Sequence, residues 1–281
     1  MNRSEALRTE PAAGADVGAT LVKLALRDAS GDTETAALPA HAIGEVAERI
    51  GEIDPTRVGL TGGGAPRLAE RIAKPTIAIG EFEAWAAGAR ALLEDDLEPT
   101  ERFLVVSVGT GTSAMLVEPE GARRVGGTAL GGGTVMGLGA ALLGESDFAT
   151  IAALASEGDR GRVDLLISDI YPEGDFLLPG SVNAASFGKL ARHGTPEVDR
   201  ADLAHGIMGL IGENVGLICA GLAAHHDVTR IVFGGSTLRA NPALTDIVGG
   251  VCLVSGRSPH FPADGQYAGA LGALKLGAMR A

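Results

Sequence analysis

Short apolar runs closed by small residues alternate along this chain with longer stretches of helical spacing, and the two patterns recur in the same order twice. The first occurrence begins near Gly14 with the tight turn Asp16-Val17-Gly18-Ala19-Thr20 and the strand Leu21–Leu26. Ala29–Asp32 makes a hairpin loop, Thr33–Leu38 runs back, and His41–Ile53 follows with Ile43, Val46, Ile50 and Ile53 at helical spacing. The second occurrence opens with the β-branched run Phe103–Val108, turns at Gly109-Thr110-Gly111-Thr112-Ser113 and continues in Ala114–Val117. Glu118–Ala122 reads as a hairpin loop, Arg123–Val125 as the returning strand, and Val135, Met136, Leu138, Leu142 and Leu143 as a helix. Strand, turn, strand, loop, strand and helix thus appear twice, with Asp16–Thr20 matching Val108–Thr112. That internal repeat predicts an α/β protein of two similar lobes with a cleft between them.

Between the repeats, Val58–Thr61 is a short strand ending in Gly62-Gly63-Gly64, Ala65–Ile72 a brief helix and Thr76–Ile79 a further strand. Glu81, Phe82 and Glu83 then open a helix over about 81–95. A carboxylate at a strand's end and a helix's first turn is where α/β folds place reactive groups. The same position favours Glu through the helix dipole alone, and by position Glu83 is as good a candidate as Glu81. Beyond the second repeat lie a helix near Asp147–Ser156, the segment Asp164–Tyr171, an aperiodic loop Pro172–Pro179 and Ser181–Leu190. A helical pattern from about Arg200 to His226 would span roughly 40 Å, long enough for a scaffold or a dimer contact. Arg230–Phe233 is a strand closed by Gly234-Gly235-Ser236, and a final helix covers about Gln266–Met279.

Glycine changes this picture most. It fills seven of the fourteen positions 126–139. Glycines between a strand and a helix let backbone N–H groups approach an anion, and the helix N-terminus adds its positive end. Two such clusters within thirty residues point to a nucleotide polyphosphate held from two sides. Net charge is −12, which argues against nucleic-acid and anionic-membrane partners. An anionic nucleotide then requires a locally positive site. No apolar run approaches the ~20 residues of a membrane span. The polar start MNRSEALRTEPAAG reads as the frayed extension, residues 1–13, of a cytoplasmic protein. Cys219 and Cys252 are too few for a disulfide framework or a zinc cluster. The histidines at 41, 193, 205, 225, 226 and 260 show no metal spacing, and there is no P-loop, nucleophile elbow or dinucleotide turn.

The residues carry a resemblance to type II pantothenate kinases, of the actin/hexokinase-like superfamily. It rests on Asp16-x-Gly18-x-Thr20-Leu-Val-Lys23, Thr61-Gly62-Gly63, Glu81-Phe82-Glu83-Ala84, Val108-Gly-Thr-Gly-Thr-Ser113, Arg124-Val-Gly-Gly127 with Gly131-Gly-Gly133, Gly137-Leu-Gly139, Asp169-Ile-Tyr171, Pro179-Gly180, Ala184-Ala-Ser-Phe-Gly188 and Gly269-Ala-Leu-Gly-Ala273. It covers about residues 14–277. The combination of E-F-E-A, V-G-T-G-T-S and R-V-G-G is its specific part. The resemblance implies two actin-like lobes, 14–100 and 101–281, the last helix able to pack back on the first lobe. It further implies a homodimer that phosphorylates pantothenate with ATP and Mg²⁺ as the first step of coenzyme A synthesis.

By that resemblance Glu81 is the general base and Arg124 binds pantothenate and steadies developing charge. Asp16 holds Mg²⁺ through water, and Lys23 approaches the phosphates. Gly18, Thr20, Gly109–Thr112, Gly131, Gly132, Gly133, Gly235 and Ser236 surround the nucleotide. Ser113 and Gly126 join Glu81 and Arg124 at the substrate, and Asn183 and Ala184 reach the site of the other subunit. Three departures stand out: Ala19 replaces a glycine and requires a negative φ, Gly80 precedes the base, and His260-Phe261 occupies a region near the substrate tail. Rival readings are a sugar-type kinase of the same fold and a non-catalytic nucleotide-binding regulator.

Overall fold

The computed structural model of the chain describes residues 10–93, 96–172, 179–192 and 198–279. His193, the inner part of the loop 172–179 and the expected helix end at 94–95 lie outside the described residues, as does most of the N-terminal extension.

Three runs form a meander because each has apolar residues to bury and a turn of small residues between it and the next: β1 (Ala12–Val17), β2 (Leu21–Arg27) and β3 (Thr33–Pro39). β1 is buried throughout, so Ala12 and Ala13 are strand residues and not part of a frayed end. α1 (Ile43–Glu52) lays Ile43, Val46 and Ile50 on this sheet at one-face spacing. β4 (Arg57–Thr61), α2 (Ala65–Ala69) and β5 (Thr76–Ala78) follow, with β4 parallel to β1 and β5 parallel to β4. The strand order is β3-β2-β1-β4-β5. α3 (Glu81–Leu92) then leaves this sheet.

The second sheet repeats the plan. β6 (Phe103–Val108), β7 (Thr112–Glu118) and β8 (Gly121–Thr128) form its meander. α4 (Gly132–Leu143) and α5 (Phe148–Glu157) come next. β9 (Leu165–Leu166) and β10 (Asn183–Ala185) make a separate ribbon carrying α6 (Ile167–Ile170) and α7 (Gly188–Arg192). α8 (Arg200–His225), β11 (Arg230–Gly234), α9 (Pro242–Val254), β12 (Ser258–His260) and α10 (Ala268–Met279) complete the chain. With β11 parallel to β6 and β12 parallel to β11, the order β12-β11-β6-β7-β8 reproduces the first sheet strand for strand.

α8 is long and apolar enough, by length and composition, to cross a membrane. Here it runs through the larger core, where Ile207, Ile211, Val215 and Cys219 meet side chains of α4, α5 and α9. α9 and β12 were not expected from the sequence. Asn241, whose side chain accepts from the Leu244 N–H, and Pro242 in the first turn are ordinary helix-start signals for α9. β8 also runs past its expected end: Gly126 and Gly127 pair with Ala114 and Ser113 as strand residues, not as a loop. The missing side chain at Gly126 admits Leu222 of α8.

α3 and α10 lie between the sheets. α3 packs Trp85, Ala86 and Ala89 onto Phe103, Val105, Met115 and Val232 of the second sheet. α10 covers β1 and β4, crossing them at Gly14 and Gly59. This crossed arrangement brings the start of α3 level with the end of β1.

Candidate functional site

The two repeated turns face each other across a cleft of about 1010 Å³. The hydroxyls of Thr20 and Thr110, one from each turn, are 3.5 Å apart. Each turn is closed by its own backbone: Gly18 N–H donates to the Leu21 carbonyl at 3.1 Å and Gly109 N–H to the Gly111 carbonyl at 2.9 Å. The N–H groups of Ala19, Thr20, Thr110 and Gly111 have no protein acceptor among the described residues, and all four residues line the cleft. Facing sets of unspent N–H donors suit an anion with oxygens on both sides. Ala19 lies outside the positive-φ region, so its methyl is tolerated.

Asp16 is the last-but-one residue of β1 and sits opposite Lys23 in the ladder with β2. It is 7 % exposed and receives no hydrogen bond from a described donor. Its carboxylate is wedged between Gly62 and Gly269. A Cβ at Gly62 would fall 2.9 Å from Oδ1, and one at Gly269 would fall 2.6 Å from Oδ2 and 3.0 Å from Trp85 Nε1. Gly62 is also at φ +87, where other residues are strained. Burial pushes the Asp16 carboxyl up to about 6, with Lys23 opposing and Glu81 adding to the rise. Such a buried, unpaired carboxylate is a place for a cation. Among the described residues no cluster of three or more His, Cys, Asp or Glu could hold a metal. A single carboxylate beside substrate oxygens is the kind of donor set Mg²⁺ takes, since that ion keeps several waters.

Glu81 is the first residue of α3, its N-cap Gly80 in an ordinary extended conformation. Glu81 lines the cleft near Asp16; Glu83 does not, which separates two candidates equal by position. From the second sheet come Gly109–Ser113, Gly132, Gly133, Gly235 and Ser236. Gly132 and Gly133 do not offer their N–H groups to a ligand. They donate to the Gly109 and Thr110 carbonyls at 2.8 and 3.0 Å, so the start of α4 buttresses the turn. Thr237 Oγ1 donates to the Gly109 carbonyl at 2.8 Å and Thr112 Oγ1 to the Leu130 carbonyl at 2.8 Å, fixing the turn from two more sides.

Other expected residues are not in the cleft wall. Gly131 stands behind the turn, its α-carbon facing the Gly109 and Thr110 carbonyls. Gly126 packs on Leu222. Arg124 is exposed on β8 and reaches the cleft margin through Ser113, whose Oγ accepts from its Nε at 3.2 Å. Asn183 and Ala184 lie on β10. The Asn183 amide donates to Glu213 at 3.0 Å and Ser186 at 3.2 Å, away from the cleft of this chain. His260 is held by Arg230 and Ser258 on β12, and Phe261 stacks on Phe233; neither lines the cleft. Sequence reasoning missed Met136, Phe148, Ala152, Arg239 and Gln266, which do. Phe148 and Ala152 are one turn apart on α5, a spacing that any core helix shows.

The model of the family described as Fumble matches residues 88–275. A type II pantothenate kinase of Staphylococcus aureus (strain MRSA252) is 31 % identical over 264 residues, covering 94 % of this chain and 98 % of the relative. Among solved structures, the activator of the 2-hydroxyisocaproyl-CoA dehydratase from Clostridium difficile with bound ADPNP aligns with TM-score 0.65 at 16 % identity, over 96 % of this chain and 94 % of that one. A ROK family glucokinase from Streptomyces griseus in complex with glucose and AMPPNP aligns with TM-score 0.58 at 16 % identity, over 96 % and 99 %. These likenesses establish the fold as that of the actin/hexokinase-like ATPases.

Proposed function

The chain belongs to the Fumble family, the type II pantothenate kinases, and from that premise we propose that the interlobe cleft performs its chemistry, ATP-dependent phosphorylation of pantothenate in coenzyme A biosynthesis, with Glu81 as general base. One observation carries the assignment: Asp16, Lys23 and Glu81 share a single cleft with the Gly109–Ser113 turn. Phosphoryl transfer asks for positioning and charge neutralisation more than covalent help. The N–H groups of Ala19, Thr20, Thr110 and Gly111 hold phosphate oxygens, and Lys23 offsets their charge. Asp16 would hold Mg²⁺ through water, and the ion, when bound, screens the phosphate charge. Glu81 accepts the proton of the primary hydroxyl of pantothenate as that oxygen attacks. Arg124, anchored to Ser113 at the margin, swings over the acceptor and orients it.

The two lobes, one about each sheet, close on their substrates about the α3–α10 crossing. The working protein is a cytoplasmic homodimer, in which Asn183 and Ala184 meet the partner's acceptor site; the exposed Leu217 on α8 and Leu253 and Val254 on α9 support such a contact. The test is ADP release from MgATP with pantothenate, beside a panel of sugars. Glu81→Ala is expected to abolish turnover while a non-hydrolysable ATP analogue still binds; retained turnover assigns the base elsewhere. Arg124→Ala is expected to raise KM for pantothenate at least about tenfold with KM for ATP within about twofold. Equal rises in both would refute its role.

A further inference from the structure

Four buried polar side chains line the cleft: Asp16, Thr112, Thr237 and Gln266. Three are accounted for. Asp16 is the carboxylate already read as a place for a cation, and both threonine hydroxyls are spent on backbone carbonyls. Gln266 is 8 % exposed and lines the cleft, and its amide, bonded by no described side chain or backbone group, opens onto the cleft and is not sealed in the core. An amide in the cleft wall with no protein partner is available to hydrogen-bond a ligand that displaces water there.

Its position narrows the ligand. Gln266 sits in the single helical turn Gly265–Tyr267, which packs on α3, β2 and β11. That turn adjoins the elements that bring Glu81 and Trp85 (α3) and Lys23 (β2) into the cleft. The amide is neutral and offers both a donor and an acceptor, so it can satisfy both the oxygen and the proton of an alcohol. Pantothenate carries two hydroxyls: the primary one, which Glu81 deprotonates, and a secondary one two carbons away.

We infer that Gln266 is a specificity-determining residue whose side-chain amide hydrogen-bonds the secondary hydroxyl of the acceptor, fixing the substrate so that its primary hydroxyl meets Glu81. The inference rests on the pantothenate reading above. A site built to bond a hydroxyl rejects the analogue that lacks it, because its own polar group is then left unpaired.

The test pairs two acceptors, pantothenate and its 2-deoxy analogue, with three proteins, wild type, Gln266→Met and Gln266→Ala, at saturating MgATP. Wild type is expected to prefer pantothenate in kcat/KM by about three- to tenfold, the worth of one neutral hydrogen bond. Gln266→Met should lose that preference while turning over the analogue within about twofold of wild type, with KM for ATP unchanged. A preference that persists in Gln266→Met, or a loss that falls on KM for ATP, overturns the assignment. So does loss of ATP-analogue binding in both variants, which would make the side chain a packing element. Wild type that turns over pantothenate without discriminating the analogue defeats only this inference; wild type inert on pantothenate defeats the functional reading beneath it as well.

Discussion

At the scale of the residue, Asp16 shows a site being maintained against stability. Its carboxyl is raised to about 6 by burial, above the unfolded value of 3.8. A carboxyl whose folded pKa is raised costs nothing below the unfolded value, where it is protonated in both states. The cost grows as pH rises from about 4 to about 6 and is constant above that. Asp16→Asn should therefore stabilise the metal-free protein by about 1–3 kcal/mol at pH 8 and by nearly nothing at pH 4, measured by urea unfolding, while abolishing turnover. Equal effects at both pH values would show that the charge is not what strains the site. Asp16 was legible in the sequence because D-x-G-x-T ties a carboxylate to a turn that only small residues can make. Gln266 was not legible: what singles it out is an amide with no protein partner in the cleft wall, and a sequence shows neither the wall nor the partners. Arg124 lies between these cases, since its motif was readable but its place on an exposed strand edge, outside the cleft wall, was not.

At the scale of the element, the crossing of α3 and α10 is built from absent side chains. A Cβ at Gly88 would fall 1.8 Å from the Ala268 carbonyl oxygen, and one at Gly272 would fall 1.7 Å from that of Ala84. The two backbones touch there, so a methyl has nowhere to go without parting the helices. Gly88→Ala is expected to cost about 3 kcal/mol or more, at the upper end for overpacking. Gly250→Ala provides the contrast. That exposed glycine sits inside α9 with nothing within 4 Å of its would-be Cβ. Alanine there should add about 0.5–1 kcal/mol through helix propensity alone. Thermal unfolding of the pair checks both signs, and a destabilised Gly250→Ala would mean that this face of α9, which also carries Leu253 and Val254 one turn on, is closed over by the partner subunit. Small residues at 268–273 were readable as close packing, but their partner was not, because α3 crosses to the second sheet out of chain order. Gly126 and Gly127 misled for a related reason: glycine inside a strand looks like glycine in a loop until Leu222 is seen filling the gap.

At the scale of the whole molecule, the repeat was the most informative thing in the chain, because duplicated order predicts duplicated topology and both sheets share one strand order. A duplicated fold puts equivalent turns face to face, and the contact of Thr20 with Thr110 is where the two copies meet. The pattern could not say how the halves are tied, and that is what governs their motion. Trp85, the chain's single tryptophan, occupies the tie. It belongs to the core under the second sheet, lines the cleft, and its Nε1 faces Gly269 of α10. Any closure that slides α3 on α10, or any ligand that displaces water beside Glu81, changes the surroundings of that one indole. Tryptophan emission should thus change saturably when a non-hydrolysable ATP analogue is added and change again with pantothenate. The second step should survive in Glu81→Ala, which binds without turning over. A flat titration in protein that is catalytically active would show that α3 does not slide on α10 and that the substrates bind clear of Trp85, against a cleft whose wall that indole helps to form.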